Sequence, residues 1–316
     1  MTTRPKPAAK RPAWRSNRHG QIPLGVKLSQ LVFRLLGSSM PELTSAWAAL
    51  LWSRTHRFEP PRRERRMQLR ASEYSLKVNG RDIKAWQWGS GPAVLLVHGW
   101  NGRGMQLSNF IDPLLKAGYR VITFDAPAHG QTSGRSTNLI EIRDVLLALA
   151  EREQGFHAAI GHSFGVACLS AAINAGMPVN SLVAISTPGS LVALVSSYCQ
   201  AMCMPPAVEA RLQQRLANRF EAGIWEQFAH HYPLSDSVQN TLVVHDRDDE
   251  IVDWHEAKKL VSEWPNAQLL LTEGLGHRRI LRNTKLIRST VEFISSNLLG
   301  DPLAENINLS HRHEDE

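Results

Sequence analysis

Short apolar or alternating runs recur along the chain between residues 74 and 271, and they are separated by longer segments in which apolar positions repeat every three or four residues. The short runs are typical of strands, and the longer spacing is typical of helices. They predict about eight strands, at residues 74–78, 83–88, 93–97, 120–124, 157–161, 181–185, 241–244 and 268–271. Because short strands alternate with helices, we predict an α/β fold whose mostly parallel central sheet is flanked by helices.

Two interruptions of this rhythm are informative. Asn79-Gly80 separates the first two strands, and this dipeptide favours the tight turn of an antiparallel hairpin. Residues 188–237 show a helical pattern without a clear strand, which predicts a helical insertion. Ligands of such sheets bind at the carboxyl ends of the strands, so we expect the insertion to form a lid there.

Two amphipathic helices are predicted before the sheet. The apolar face of the first consists of Leu24, Leu28, Leu31, Val32 and Leu35. The apolar face of the second consists of Leu43, Ala46, Trp47, Leu50 and Leu51. Since apolar helix faces usually bury within their own protein, we expect both faces to dock on the α/β body. Ser39, followed three residues later by Glu42, resembles a capping box at the start of the second helix.

These patterns predict five parts of the chain. In order along the sequence they are a flexible basic tail (1–20), a helical extension with a charged linker (21–70), the α/β core in two segments (71–187 and 238–299), the lid insertion (188–237) and a C-terminal tail (300–316).

Charge distinguishes the first 70 residues from the rest. They contain 15 Lys and Arg but three acids, a net charge of +12, so the remaining 246 residues carry −5 of the chain's +7. Besides docking on the body, three alternatives stay open for this basic arm: peripheral contact of residues 1–70 with anionic membrane, binding to nucleic acid, and an organelle-targeting peptide. Nucleic acid is disfavoured because no recognised binding module accompanies the charge.

The cysteines and the apolar stretches bear on location. Three cysteines in a chain of this length do not form a disulfide framework, which favours free thiols in a reducing compartment. No apolar run is long enough to span a membrane, and the stretch at 24–36 is broken by Lys27, Gln30 and Arg34, unlike a secretory signal. We therefore expect a cytoplasmic protein, with peripheral attachment to the inner membrane surface as an open alternative.

One motif points to chemistry. Gly161-His162-Ser163-Phe164-Gly165 matches Gly-x-Ser-x-Gly, and it lies between a predicted strand and a predicted helix. In that setting the small glycines permit a sharp turn that exposes a serine hydroxyl at the top of a sheet. The motif predicts Ser163 as a nucleophile.

With this motif the chain resembles the α/β-hydrolase family, over residues 73 to about 299. In that family a catalytic acid and a histidine follow the serine in the sequence. The segment from Leu242 to Val252 resembles the family's strand end that carries the acid, which implies Asp249, with Asp246 and Asp248 as open alternatives. Gly274-Leu275-Gly276-His277 resembles the segment that carries the base, which implies His277.

The resemblance also implies an oxyanion hole. His98-Gly99-Trp100 follows a strand as in the family, so the backbone N–H groups of Trp100 and Phe164 are the expected donors. Apolar residues of the insertion are candidates for lining the substrate pocket: Leu191, Leu194, Met202, Met204, Trp225 and Phe228. No metal ion or organic cofactor is expected.

The expected activity is hydrolysis of an ester or related acyl compound through an acyl-enzyme. The expected substrates are small molecules, with apolar or lipid-like compounds among them. Two alternatives stay open. An acyltransferase would use the same triad, and a non-catalytic binding protein would keep the fold without the chemistry.

Overall fold

The computed structural model describes residues 24–219 and 223–296, and a single eight-stranded sheet forms its centre. The strands are β1 (Ser72–Val78), β2 (Arg81–Trp88), β3 (Ala93–Val97), β4 (Arg120–Phe124), β5 (Phe156–His162), β6 (Val179–Ile185), β7 (Asn240–Asp246) and β8 (Ala267–Thr272). Their order is β1-β2-β4-β3-β5-β6-β7-β8. β2 is antiparallel to β1 and β4, and the other pairs are parallel. The predicted mostly parallel α/β sheet is confirmed.

Helices cover both faces of the sheet because alternate strand residues point in opposite directions. In β3, Leu95 and Val97 belong to one core cluster, and Val94 and Leu96 belong to the other. The first cluster includes residues of α5 (Leu139–Glu153), α6 (Phe164–Asn174) and α10 (His255–Glu263). The second includes residues of α4 (Ile111–Lys116) and α12 (Thr284–Ser296). A 3₁₀ helix, Gly104–Phe110, precedes α4.

Three helices connect β6 to β7, and we call them the insertion helices. They are α7 (Leu191–Ala201), α8 (Pro206–Ala217) and α9 (Ile224–Ala229). The chain enters them from the carboxyl end of β6, which is the edge of the sheet where Ser163 also lies, after β5. Their role as a lid stays a prediction.

The N-terminal arm consists of α1 (Leu24–Leu36), α2 (Pro41–Ser53) and α3 (Arg62–Gln68). A separate apolar cluster joins the first two to the insertion helices: Phe33, Ala48 and Ala49 pack with Val195, Cys199, Met202, Met204, Val208, Leu212 and Leu216. The arm therefore docks on the insertion helices through α1 and α2. Docking of these two helices on the α/β body was not the right expectation.

The orientation of α1 is also opposite to the predicted one. Leu24, Leu28, Leu31 and Leu35 are exposed, whereas Ser29, Gln30 and Phe33 are buried. Specific contacts fix this orientation, because the Gln30 side-chain amide donates to the Ala201 carbonyl at 2.8 Å and Phe33 stacks on Trp47. In α2, Leu43 and Leu50 are likewise exposed.

The predicted capping box at the start of α2 was wrong. Met40 rather than Ser39 is the N-cap of α2, and Glu42 instead forms ion pairs with Arg211 and Arg215 of α8.

The segment expected to be a charged linker contains α3. Its Glu64 is buried and forms an ion pair with Arg103, which gives this charged helix a fixed place on the body. The predicted tails, 1–20 and 300–316, lie outside the described residues. Among the helices of residues 24–219 and 223–296, none is both long and apolar enough to cross a membrane.

The orientation of α1 predicts unequal effects of two truncations. Phe33→Ala removes a fully buried ring and should lower the free energy of unfolding by about 3 kcal/mol, whereas Leu31→Ala, at a half-exposed position, should change it by less than about 0.5 kcal/mol. Urea unfolding, together with the rate of tryptic cleavage after Arg34, measures both the global and the local effect. Equal losses for the two variants would contradict this orientation.

Candidate active site

The site is built around a sharp turn between β5 and α6. Ser163 occupies this turn with φ 54° and ψ −124°, a backbone conformation that non-glycine residues seldom adopt. The Ser163 N–H donates to the Ile185 carbonyl at 2.8 Å, which ties the turn to the end of β6. The serine side chain is partly exposed at the carboxyl edge of the sheet.

The glycines of the motif allow this turn to approach the end of β3. A Cβ atom on Gly165 would lie 2.6 Å from the His98 carbonyl oxygen and 2.8 Å from that of Val97. A Cβ atom on Gly161 would lie 2.8 Å from the Leu169 side chain. Side chains at these two positions would push the helix away from the strand, so the motif is needed for packing.

Asp249 and His277 meet beside this turn. His277 Nδ1 donates to Asp249 Oδ2 at 2.8 Å, and both side chains are buried. Because Nδ1 carries the proton in this bond, Nε2 of the imidazole keeps its lone pair. Within the described residues no hydrogen bond joins the Ser163 hydroxyl to His277.

The three neighbouring carboxylates have different partners. Asp249 contacts His277, while Asp246 accepts from the Thr272 hydroxyl and from the backbone N–H groups of Leu275 and Gly276 at 2.7, 3.1 and 2.9 Å. Asp248 accepts from the Gly274 N–H at 2.8 Å. Asp246 and Asp248 therefore hold the backbone of the loop before His277, and Asp249 is the carboxylate placed against the imidazole.

Asp249 is held in its ionised form. Burial alone would raise the pKa of this carboxyl, but hydrogen bonds from His245, His277 and the Val252 N–H outweigh burial and lower the pKa well below its ordinary value. The Ile251 and Val252 N–H groups both donate to Oδ1, at 2.8 and 3.0 Å. A charged, fully bonded acid fixes the orientation of the histidine beside it.

His245, at the end of β7, was not among the predicted site residues. Its Nε2 lies 3.4 Å from Asp249 Oδ2 and 3.2 Å from the Val252 carbonyl oxygen. The signal in the sequence was its place four residues before Asp249. His245 thus approaches the same carboxylate oxygen that accepts from His277.

His162 links the turn to the histidine loop. Its Nε2 donates to the backbone carbonyl of His277 at 2.9 Å, and the two rings lie 4.8 Å apart. Burial, together with the nearby His277, lowers the pKa of His162 to about 3, so its ring is neutral. The residue before the serine therefore fixes the backbone of the histidine.

Trp100 and Phe164 are adjacent, as the predicted oxyanion donors must be. Their rings meet edge to face with centroids 5.3 Å apart. A Cβ atom on Gly99 would lie 3.1 Å from Ser163 Cβ, which places the Gly99-Trp100 backbone beside the serine. Among the described residues, none accepts a hydrogen bond from the N–H of Trp100 or Phe164.

Two more buried histidines hold the loops around these donors. His98 Nδ1 donates to the Gly99 carbonyl, and its Nε2 accepts from the Ala126 N–H at 3.1 Å. His129 Nε2 accepts from the Asn101 N–H at 3.0 Å. Burial lowers the pKa of His98 to about 3 and that of His129 to about 4, so both are neutral hydrogen-bonding groups.

The candidate pocket residues fall into two groups. Leu191 and Phe228 are buried in the large core cluster, with Leu194 and Trp225 packed against it, whereas Met202 and Met204 are buried between the insertion helices and the arm. Their part in lining a substrate pocket stays a prediction. A surface cleft of about 420 Å³ lies elsewhere, formed by residues 231–234 with Glu263 and Trp264.

In residues 24–219 and 223–296, no group of three or more His, Cys, Asp or Glu side chains is arranged to hold a metal ion. Cys168, Cys199 and Cys203 are unbridged.

Two curated proteins share part of this sequence. Both are called serine hydrolase-like protein: the one from Danio rerio is 31% identical over 137 residues, and the one from Homo sapiens is 36% identical over 104 residues. The matches cover 40% and 30% of this chain. They span 40% and 49% of the relatives, which is less than half the length of either.

Solved structures share the fold. A putative lipase from Acinetobacter baumannii AYE has a TM-score of 0.57 at 20% identity, covering 74% of this chain and 95% of its own. An esterase from Pyrococcus furiosus has a TM-score of 0.56 at 18% identity, covering 77% and 98%. The meta-cleavage product hydrolase from Pseudomonas fluorescens, solved as a mutant complexed with acetates, has a TM-score of 0.53 at 18% identity, covering 72% and 99%.

The family itself is shown by the sequence. The model of the family described as "Alpha/beta hydrolase family" matches residues 94–288, which is more than half of the 316 residues. This stretch runs from β3 to α12 and includes the turn at Ser163, the loop at Asp249 and the loop at His277. The chain belongs to the alpha/beta hydrolase family.

Proposed function

We propose that the protein is a serine hydrolase that cleaves an ester or related acyl substrate through an acyl-enzyme on Ser163. The observation that carries this proposal is the ionised Asp249 bonded to Nδ1 of His277, because that bond leaves Nε2 as a proton acceptor at the edge of the sheet where Ser163 lies. Membership of a hydrolase family supports it further. The structural neighbours include an esterase and a putative lipase, which agrees with acyl chemistry.

The proposed reaction has two halves. Ser163 Oγ attacks the acyl carbon while His277 Nε2 takes the hydroxyl proton, and the same proton passes to the leaving alcohol or thiol as its bond to carbon breaks. Water then gives a proton to His277 while the water oxygen attacks the acyl carbon. The bond between this carbon and Ser163 Oγ breaks, His277 returns the proton to Oγ, and the acid leaves.

Charge that develops on the acyl oxygen needs donors already in place. The N–H groups of Trp100 and Phe164, without another partner in the described residues, are the proposed donors. Each donor of this kind contributes about 3 kcal/mol to the transition state. The Asp249 charge stabilises the imidazolium that forms when His277 is protonated.

Apolar or lipid-like acyl groups are the proposed substrates. The insertion helices supply apolar side chains near the carboxyl edge of the sheet, including the half-buried Leu194 and Trp225. Apolar walls with few polar groups are typical of small-molecule pockets and suit an acyl chain.

A fluorophosphonate probe tests the nucleophile. The wild-type protein should be labelled on Ser163, because the probe reacts with serines whose proton is removed by a base. Ser163→Ala should abolish labelling, and His277→Ala should slow it by at least about 10³-fold. Mass mapping of the labelled peptide gives the site. A folded wild-type protein that stays unlabelled, or that is labelled on another serine, would reject the proposal.

Three substitutions of aspartate by asparagine distinguish the roles of Asp246, Asp248 and Asp249. Asp249→Asn should slow labelling by about 10³-fold or more, since an amide cannot stabilise the imidazolium. Asp248→Asn is the matched control and should slow it by less than about 10-fold. Asp246→Asn should mainly lower the free energy of unfolding, by about 1–3 kcal/mol, because it bonds the loop before His277. Labelling kinetics and urea unfolding measure both effects, and equal slowing by the first two variants would contradict the assignment of Asp249.

A further inference from the structure

An apolar surface remains exposed on the N-terminal arm. We call it the leucine face, and it consists of Leu24, Leu28, Leu31 and Leu35 of α1 with Leu43 and Leu50 of α2. These side chains are between 50% and 82% exposed. An exposed apolar stripe, such as the one that the four leucines form along α1, marks a site of interaction on a folded protein.

The leucine face points directly away from the protein. Leu24, Leu28, Leu31 and Leu35 follow a spacing of four, three and four residues, which forms one stripe along α1. The buried residues of α1, including Gln30 and Phe33, lie on the opposite side of the helix and fix its rotation through their contacts. The helix thus buries Phe33 together with two polar residues and leaves its leucines outward, whereas an ordinary surface helix buries its leucines.

Two positive charges lie beside the leucines of α1, and one of them, the Arg34 guanidinium, also donates to Cys203 Sγ at 3.1 Å. Lys27 and Arg34 lie on α1 and are exposed, and α1 contains no acid. The one acid in α2, Glu42, is paired with Arg211 and Arg215. Residues 1–20, which precede α1 in the sequence, contain six Lys and Arg and no acid.

We propose that the leucine face docks on the surface of an anionic lipid bilayer. Leucines enter the boundary between headgroups and acyl chains, while Lys27 and Arg34 pair with anionic headgroups. A second copy of the chain fits less well, because Lys27 and Arg34 of one copy would meet the same positive charges on the other. Residues 1–20 hold few large apolar side chains, Met1 and Trp14, so they are poorly suited to cover six leucines.

The segment that follows α2 ties the arm to the loops beside the candidate active site. After α2, the Thr55 hydroxyl donates to the Ala128 carbonyl at 2.7 Å, and the His56 N–H donates to the Asn101 side chain at 2.7 Å. Both partners follow the carboxyl ends of parallel strands, and Asn101 is next to Trp100. Docking would therefore bring the candidate site to the bilayer. Docking itself is independent of the proposed activity; the delivery of lipid-like acyl substrates rests on the proposed function.

Vesicle flotation of the full-length protein tests the docking. Wild type should bind phosphatidylcholine vesicles that contain phosphatidylglycerol at least about 10-fold more strongly than pure phosphatidylcholine vesicles, and added salt should reduce the difference. The combined variant L24Q/L28Q/L31Q/L35Q should bind the anionic vesicles about 100-fold less, because four leucines no longer enter the bilayer. Leu69→Gln, at an 86% exposed leucine outside the leucine face, is the control and should bind as wild type does.

Several results would overturn the docking proposal. These are a wild-type protein that does not float with anionic vesicles, one that binds both kinds of vesicle equally, and a quadruple variant that binds as wild type does. Light scattering that shows a wild-type dimer and a monomeric quadruple variant would identify a second copy as the occupant instead.

Labelling of Ser163 in solution separates this proposal from the proposed function. The quadruple variant should be labelled at the wild-type rate, which shows that it is folded and that its lost vesicle binding comes from the leucine face. A wild-type protein that binds vesicles but is never labelled would reject the hydrolase while leaving the docking surface in place.

Discussion

The close contact between the turn at Ser163 and the end of β3 is the constraint on which the site depends. Gly165 brings the start of α6 so near to the His98 carbonyl that a methyl group at this position would collide with it. The same contact places Gly99 beside Ser163 and brings Trp100 against Phe164. The candidate nucleophile and both candidate oxyanion donors are therefore positioned by one packing interaction, which holds the positive φ of Ser163 in place.

Around this contact, buried polar groups divide into neutral histidines and charged carboxylates. His98, His129 and His162 each bond to loop backbone as neutral rings, because burial disfavours their charged form. Asp246 and Asp249 have pKa values below their ordinary range because several donors bond to each. Since the pKa of Asp249 is lower in the fold than in the unfolded chain, its bonds stabilise the fold above the unfolded pKa, and this stabilisation is lost as the pH falls towards the folded pKa.

The sequence allowed a reliable prediction of those elements that depend on the local spacing of apolar residues or on a short motif. The eight strands and the Gly-x-Ser-x-Gly turn follow from runs and spacings that a short window contains. The partners of Asp246, Asp248 and Asp249 could not be predicted in this way. Three carboxylates within four residues are equivalent in the sequence, and only the position of the loop before His277 distinguishes them.

In the N-terminal arm, too, contacts that are distant in the sequence determine what a local pattern cannot predict. The leucine stripe was visible in the sequence, but its direction depends on Gln30 and Phe33, whose partners at Ala201 and Trp47 lie on other helices. The helix α3 was missed because its composition is that of a charged linker. It is anchored by one buried pair, Glu64 with Arg103, whose members lie far apart in the sequence.

The proposed mechanism requires that Ser163, activated by His277, become acylated during turnover. The intact mass of the protein tests this step when the reaction is quenched with acid milliseconds after mixing with an activated ester and then followed by peptide mapping. We expect a transient mass increase equal to one acyl group on the peptide that contains Ser163. This adduct should decay to free acid and be absent from His277→Ala. Turnover of the ester without an adduct on Ser163 at any quench time, in a protein whose Ser163→Ala variant is equally active, would contradict it.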